Sequence, residues 1–322
     1  MRGILIVNTG SPKSLDKEDV KWFIGEMLSD PLVMTVPDWL RDILAKKIIA
    51  PLRASASASR YSLIWDTINN TSPLIYHTQT LARKIETSAG LPVEVAMRYG
   101  NPYISDALQR LQDRTVGLHE VVVLPMFPQY AQSSYQTAVD AIGQCFYKKS
   151  YPFRLRIIEP FYNDPEYIHA LAISLKPFIG KEYDRLIFSF HSLPLSHEQR
   201  ACVKGRQFDY VYQIKETIRL VSKELELEPR KNRVVYSSAM GTDWLKPDLY
   251  DTLKSFPSQD IKKVIVIAPG FPADNLETLY DINIKARKIF LENGGEDFAF
   301  VPALNSEDYW VDGIIKMITR IV

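Results

Sequence analysis

Eight short apolar runs, each closed by a turn, constrain this chain more than any other feature. They occupy residues 4–7, 93–97, 121–124, 155–158, 186–190, 234–236, 264–268 and 298–301, and four of them are followed directly by Asn or Pro. Runs of this length, rich in Val and Ile, are the pattern of strands buried on both faces, which is the habit of parallel sheets. Amphipathic stretches such as 106–111, 210–225 and 276–291 lie between them. Strand and helix in alternation predict an α/β fold with helices on both sheet faces. The eight runs divide four and four, with the break near 152–160. We therefore expect two similar doubly wound domains, each a four-stranded parallel sheet flanked by helices, over 1–155 and 156–305. A final helix over 306–322 has no strand after it and is expected to pack back on the first domain.

Length and composition agree with that plan and exclude several functions. A chain of 322 residues suits two ordinary domains, and 46% hydrophobic with 24% charged residues is globular. A net charge of +1 supplies no field to recruit polyanions, so no nucleic-acid partner is expected. Cys145 and Cys202 are the only cysteines, too few for a disulfide framework, a four-cysteine zinc site or a cysteine-ligated iron–sulfur cluster. The opening Met-Arg-Gly-Ile-Leu-Ile-Val-Asn turns polar too early for a secretory signal. No apolar run approaches the ~20 residues of a membrane span. A soluble, cytoplasmic protein is expected.

Ligands of such sheets sit at the carboxyl ends of the strands. The turn after the first run, Asn8-Thr9-Gly10-Ser11-Pro12, lacks a Gly-x-Gly-x-x-Gly fingerprint, and no phosphate-binding lysine loop occurs anywhere. His191, in Phe188-Ser189-Phe190-His191-Ser192-Leu193-Pro194, stands at a strand end, where an imidazole can take a proton, bind a metal or simply hydrogen-bond the backbone. Asp274 and Glu277 have the spacing of a capping box with Asp as the cap. Asp281 is spaced to pair with Lys285, yet Glu277 and Asp281 are also an i, i+4 pair of carboxylates, facing either solvent or a cleft. The helix pattern leaves both readings open.

Taken together and in order, these segments resemble ferrochelatases. The opening turn is similar to the family's Asn-x-Gly-x-Pro. Ser72-Pro73-Leu74, preceded by Arg60-Tyr61 and Ile64-Trp65, resembles a substrate loop. Met97-Arg98-Tyr99-Gly100-Asn101-Pro102, Leu124-Pro125-Met126-Phe127-Pro128-Gln129-Tyr130, Trp244-Leu245-Lys246-Pro247, Pro269-Gly270-Phe271 and Asp274-Asn275-Leu276-Glu277-Thr278-Leu279 complete the likeness, which runs nearly end to end. The resemblance implies a chelatase-like fold and insertion of ferrous iron into a free-base porphyrin, protoporphyrin IX or coproporphyrin III, held distorted in the interdomain cleft. It implies His191 and Glu277 as catalytic residues and metal contacts, and Asp281 on a proton or metal path. Porphyrin contacts are implied for Thr9, Arg60, Tyr61, Ser72, Arg98, Tyr99, Phe127, Tyr130 and Trp244. Aromatic residues would wall the ring, and Arg, Ser and Tyr would meet its propionates. Fe²⁺ enters as substrate, with no permanently bound cofactor and no iron–sulfur cluster.

The chain also departs from the family pattern. Thr9 stands where relatives often carry a larger residue, and Tyr236-Ser237-Ser238-Ala239-Met240-Gly241 lacks the Gln that commonly precedes the first Ser. The interval from Gly241 to Trp244 is one residue short, and Asn275 replaces a frequent Cys or His. With no cysteine-rich extension, the sequence is most like the cluster-free bacterial form. A cobalt or sirohydrochlorin chelatase and a non-catalytic tetrapyrrole-binding protein are the alternatives. The apolar stretch 31–49, with Trp39, Leu40 and Lys46-Lys47, reads either as a core helix or as a lip making weak peripheral contact with the inner face of the membrane. A monomer or weak dimer is expected.

Overall fold

A computed structural model describes residues 1–321. All eight expected strands form, in two parallel sheets of four. The first holds β1 (Arg2–Asn8), β2 (Val93–Met97), β3 (Glu120–Pro125) and β4 (Arg154–Ile157) in the order β2-β1-β3-β4. The second holds β5 (Arg185–His191), β6 (Asn232–Ser237), β7 (Lys263–Ile267) and β8 (Asp297–Phe300) in the order β6-β5-β7-β8. The expected α/β class and parallel pairing are therefore what the chain adopts. In each sheet the second strand in sequence lies on one side of the first and the third on the other. That reversal is a topological switch point, and loops diverge there at the carboxyl ends.

In the first unit the helices are α1 (Lys17–Leu28), α2 (Asp38–Asp42), α3 (Ala50–Ser62), α4 (Pro73–Ala89), α5 (Ile104–Arg114) and α6 (Thr137–Lys148). In the second they are α7 (Pro165–Ile179), α8 (Leu195–Cys202), α9 (Tyr210–Glu224), α10 (Leu249–Ser255), α11 (Arg287–Glu292) and α12 (Asp308–Ile321). Three segments, Ile43–Ile49, Gln132–Gln136 and Glu277–Ala286, are π-helical. Such widened turns are uncommon and recur at functional sites. The central strands carry the cores: Leu5, Ile6 and Val7 of β1 and Leu186, Ile187, Phe188 and Phe190 of β5 are fully buried. Each such side chain contributes about 1.5–3 kcal/mol of burial free energy.

Two boundaries correct the sequence reading. The expected break at 155 falls inside β4, whose ladder with β3 continues to Val123 and Ile157. The first compact unit is Met1–Phe127 with Ala131–Pro160, and the second is Pro128–Tyr130 with the chain from Phe161 onward. The last helix was expected on the first domain, but it is built into the second unit. Its packing partner is α7. Trp310 is fully buried, with its ring 5.9 Å from Tyr167 and 6.1 Å from Phe161, and Lys316 and Arg320 pair with Glu166 and Asp164. A stripe of Trp310, Ile314, Met317 and Ile318 is buried, and that apolar face decides the placement.

Gly10 fixes the turn after β1. Its φ is +108°, and an added Cβ would lie 1.9 Å from the Tyr99 carbonyl oxygen. No side chain fits there.

Candidate active site

The second unit brings His191 and Glu277 together. His191 is the last residue of β5 and lies in register with Ser237, the last residue of β6. Glu277 opens the π-helical segment after β7. The imidazole Nδ1 is 2.8 Å from Glu277 Oε2, and the Ser237 hydroxyl donates a short hydrogen bond to Oε1. From behind, the Tyr210 hydroxyl donates to the His191 carbonyl at 2.9 Å. The His191 side chain nevertheless keeps 43% of its surface accessible, against 12% for Glu277. A ring fastened at Nδ1 and open elsewhere suits a group that meets substrate.

Glu277 is free for this contact because another residue caps the helix. Asn275 Oδ1 accepts from the Glu277 and Thr278 amides at 2.8 and 3.3 Å. The capping box expected from Asp274 and Glu277 does not form. Asp274 is buried and accepts from Thr278 Oγ1 at 2.8 Å and Asn305 Nδ2 at 2.7 Å. Asp281, which is spaced to pair with Lys285, accepts from the Tyr250 hydroxyl at 3.2 Å, and Lys285 Nζ lies 4.2 Å from the centre of the Tyr250 ring.

The charges in this group reinforce one another. Burial alone would push the His191 imidazolium down, but the Glu277 carboxylate, by charge and hydrogen bond, and Asp281 beyond it raise it above its ordinary range. Burial would likewise raise Glu277, yet His191 and the hydroxyls of Ser237 and Ser238 hold it below the usual carboxylate range. With the proton of the neutral ring on Nδ1 facing Glu277, Nε2 carries the lone pair. Such a nitrogen can accept a pyrrole proton or touch a passing divalent ion. Among the described residues, no group of three or more His, Cys, Asp or Glu could hold a metal ion.

The remaining residues singled out by the sequence divide between the units. Trp244 is half-buried in the loop after β6, where it bridges to Pro194, three residues after His191. Tyr130 counts with the second unit: its amide donates to Gln213 Oε1 at 2.7 Å and its ring meets Phe208 at 5.1 Å. In the first unit, the Tyr99 amide donates to the Thr9 carbonyl at 2.9 Å. Tyr61 is buried, hydrogen-bonded to Ser11 and edge-on to Trp65 at 6.2 Å. Phe127 is buried after β3, and Arg60 is exposed on the last turn of α3.

Two expected propionate donors already have structural duties. Ser72 caps α4, accepting from the Ile75 amide at 3.3 Å. Arg98 pairs closely with the buried Asp30 and donates to Thr137 Oγ1 at 2.7 Å, while the Tyr99 hydroxyl also donates to Asp30 at 2.9 Å. Burial would raise Asp30, but Thr137, the Leu32 amide, Arg98 and Tyr99 keep it below the ordinary range. Sequence reasoning missed Asp30 and Thr137, which no local motif links to Arg98. It also missed Tyr210 and the role of Ser237; strand register would have pointed to Ser237 once β5 and β6 were known to pair.

The family comparison decides what this arrangement belongs to. The ferrochelatase family model matches residues 1–321. This chain belongs to the ferrochelatase family. A ferrochelatase of Porphyromonas gingivalis is 34% identical over 328 residues, covering 97% of this chain and 94% of that protein. Ferrochelatases of Ectopseudomonas mendocina and Legionella pneumophila are 35% and 33% identical, covering 98% and 99% of this chain and 97% and 99% of theirs. Among solved structures, a multi-domain Deinococcus radiodurans protein described as similar to chelatases matches with a TM-score of 0.51 and 12% identity. That match covers 98% of this chain and 54% of the other, so this chain spans about half its length and the likeness speaks to the fold alone. In this ferrochelatase-family chain, the residue-by-residue resemblance and the His191–Glu277 contact fall on the same two side chains.

Proposed function

We propose that this chain inserts ferrous iron into a free-base porphyrin, with His191 receiving the pyrrole protons and Glu277 orienting the ring and balancing its charge. The 2.8 Å contact between His191 Nδ1 and Glu277, on an imidazole still open to solvent, carries this reading. Insertion releases two protons as a dication enters, so a base aimed at the macrocycle and a carboxylate behind it answer both needs. Asp281, next along the π-helical face, extends the acidic path by which protons leave or Fe²⁺ arrives. Aromatic residues Tyr61, Phe127, Tyr130 and Trp244 would supply apolar contact with the ring, and Arg60, Arg98, Ser72, Tyr99 and Thr9 polar contact. Porphyrin fluorescence followed under anaerobic Fe²⁺, with protoporphyrin IX and coproporphyrin III in parallel, tests the reading. Many turnovers per chain are expected. Stoichiometric quenching without turnover would make the protein a binder and overturn the proposal.

The stretch around α2 is the proposed point of peripheral membrane contact. Among the described residues, no helix is long and apolar enough to cross a membrane. Yet Trp39 is 73% exposed and Leu52 77%, with Ile43 and Ile48 also exposed beside Lys46 and Lys47. Ala45 and Ala50 are buried in the cluster formed with α1, so the segment has an inner face and a free outer one. An outer face of Trp, Ile and Lys suits shallow, salt-sensitive adsorption to anionic lipid. Changing Trp39 and Leu40 to Ser should weaken flotation with anionic vesicles and raise the apparent KM for porphyrin, without unfolding the chain. Unfolding would return the segment to the core, and unchanged flotation and KM would make its exposure incidental.

A further inference from the structure

Behind His191, the second unit holds a buried acid, Glu198, beside a half-buried one, Asp209, and the reaction uses neither. Glu198 of α8 is buried, and its Oε1 accepts from the Val211 amide, in the first turn of α9, at 3.1 Å. Asp209 caps the same helix, accepting from the Tyr212 amide at 2.7 Å. Asp209 lies beside Glu198, close enough that its carboxyl raises Glu198. Glu198 Oε2 is buried and has no hydrogen-bond partner. Two carboxylates cannot hydrogen-bond without a proton between them, and an orphaned buried oxygen is costly. A proton on Glu198 Oε2, available to donate to Asp209, would remove both faults and leave Oε1 to Val211.

Between these two acids and His191 stands one residue. Tyr210 directly follows Asp209, and its hydroxyl donates to the His191 carbonyl at 2.9 Å. We propose that Glu198 is a positioning residue for His191: by sharing a proton with Asp209 it locks α8 to the start of α9, and so holds the Tyr210 hydroxyl against the His191 backbone. This role rests on reading His191 as the proton acceptor. The titratable groups facing Glu198 are Asp209 and Tyr210 of α9 and Tyr236 of β6, with His197 and Arg200 on its own helix. Burial, with Asp209 alongside, pushes Glu198 up to about 7. The stability given by the shared proton is therefore complete below the ordinary carboxylate range and is lost as pH rises through about 7.

Glu198→Gln tests the proposal, since the amide donates to Asp209 and accepts from Val211 at every pH. Relative to the wild type, its melting temperature should rise by several degrees from about pH 5 to about pH 8 and level off above. A constant difference across that range would overturn the shared proton. In turnover, the wild type should lose kcat above neutral pH, and Glu198→Gln should move that decline upward by about one pH unit or more, with the KM for porphyrin unmoved. An alkaline decline identical in both proteins would overturn the link to His191. Tyr210→Phe should lower kcat several-fold in both backgrounds; equal kcat with and without the hydroxyl would also overturn it. A wild type that binds porphyrin without turnover would overturn the catalytic reading and the positioning role together, while the melting series, which needs no porphyrin, still decides whether the proton is shared.

Discussion

Replacing His191 with Ala should lower turnover by ~10²-fold or more while porphyrin still binds, the usual scale for losing a positioned general base. The geometry makes this a clean substitution. The ring is partly exposed, so its loss leaves no deep cavity, and Tyr210 binds the backbone carbonyl, which alanine retains. Removing the imidazole leaves Glu277 without its cation, but Ser237 still donates to it. Fluorescence quenching would report binding, and product absorbance would report insertion. A His191→Ala protein that keeps most of its turnover would remove His191 from the chemistry. On the acid side of its pH profile, wild-type turnover should rise as the raised His191 loses its proton, because only the neutral ring accepts one.

The second large effect falls on Glu277. Glu277→Gln keeps an acceptor for Ser237 and leaves the Asn275 cap untouched, but it removes the charge beside His191. Turnover should drop by ~10²-fold, because the proton acceptor His191 loses the carboxylate that orients it and balances its charge. The acid limb of its residual pH profile should move down, because the imidazolium loses the carboxylate that raised it. Stability should respond with a defined sign. A raised His191 stabilises the fold below the ordinary imidazole range and ceases to do so above its own, and a lowered Glu277 stabilises above the ordinary carboxylate range and fails as pH falls through its own. The melting difference between wild type and Glu277→Gln is therefore greatest at mildly acidic pH and shrinks toward alkaline pH. Wild-type turnover in this variant would assign Glu277 to structure alone.

The architecture was legible because it rests on period and punctuation. Residues 4–7 and 186–190 announce buried parallel strands by themselves, and the helices between them follow. Element edges were less legible: the break at 155 cut β4, because a strand ends where its ladder ends, and the ladder is a property of β3. The candidate site was legible at His191 and Glu277, where a strand end and a helix start coincide with family motifs. What escaped notice depends on contacts between distant segments. Asp274 looked like a cap until Asn305, from the far side of β8, took one of its oxygens and left Asn275 to do the capping. The ties of Arg98 to Asp30 and Thr137 were equally hidden, because these partners reach it from 68 and 39 residues away in sequence. No spacing rule sees across such intervals.

The two sheets repeat one layout, and so their central strands can be read against each other. Each central strand has seven residues, Arg2–Asn8 and Arg185–His191, so Asn8 is the architectural twin of His191. Asn8 is sealed: its side chain donates to Thr78 at 3.2 Å and accepts from the Thr9 amide at 2.8 Å, and 5% of the residue is exposed. One copy of the plan has made that strand end a joint, and the other has left it open to solvent. Mutational tolerance should follow the same division, with changes at Asn8 read out in folding yield and changes at His191 in chemistry. A duplicated scaffold can in this way keep one half as an anchor while the other is free to acquire a reaction.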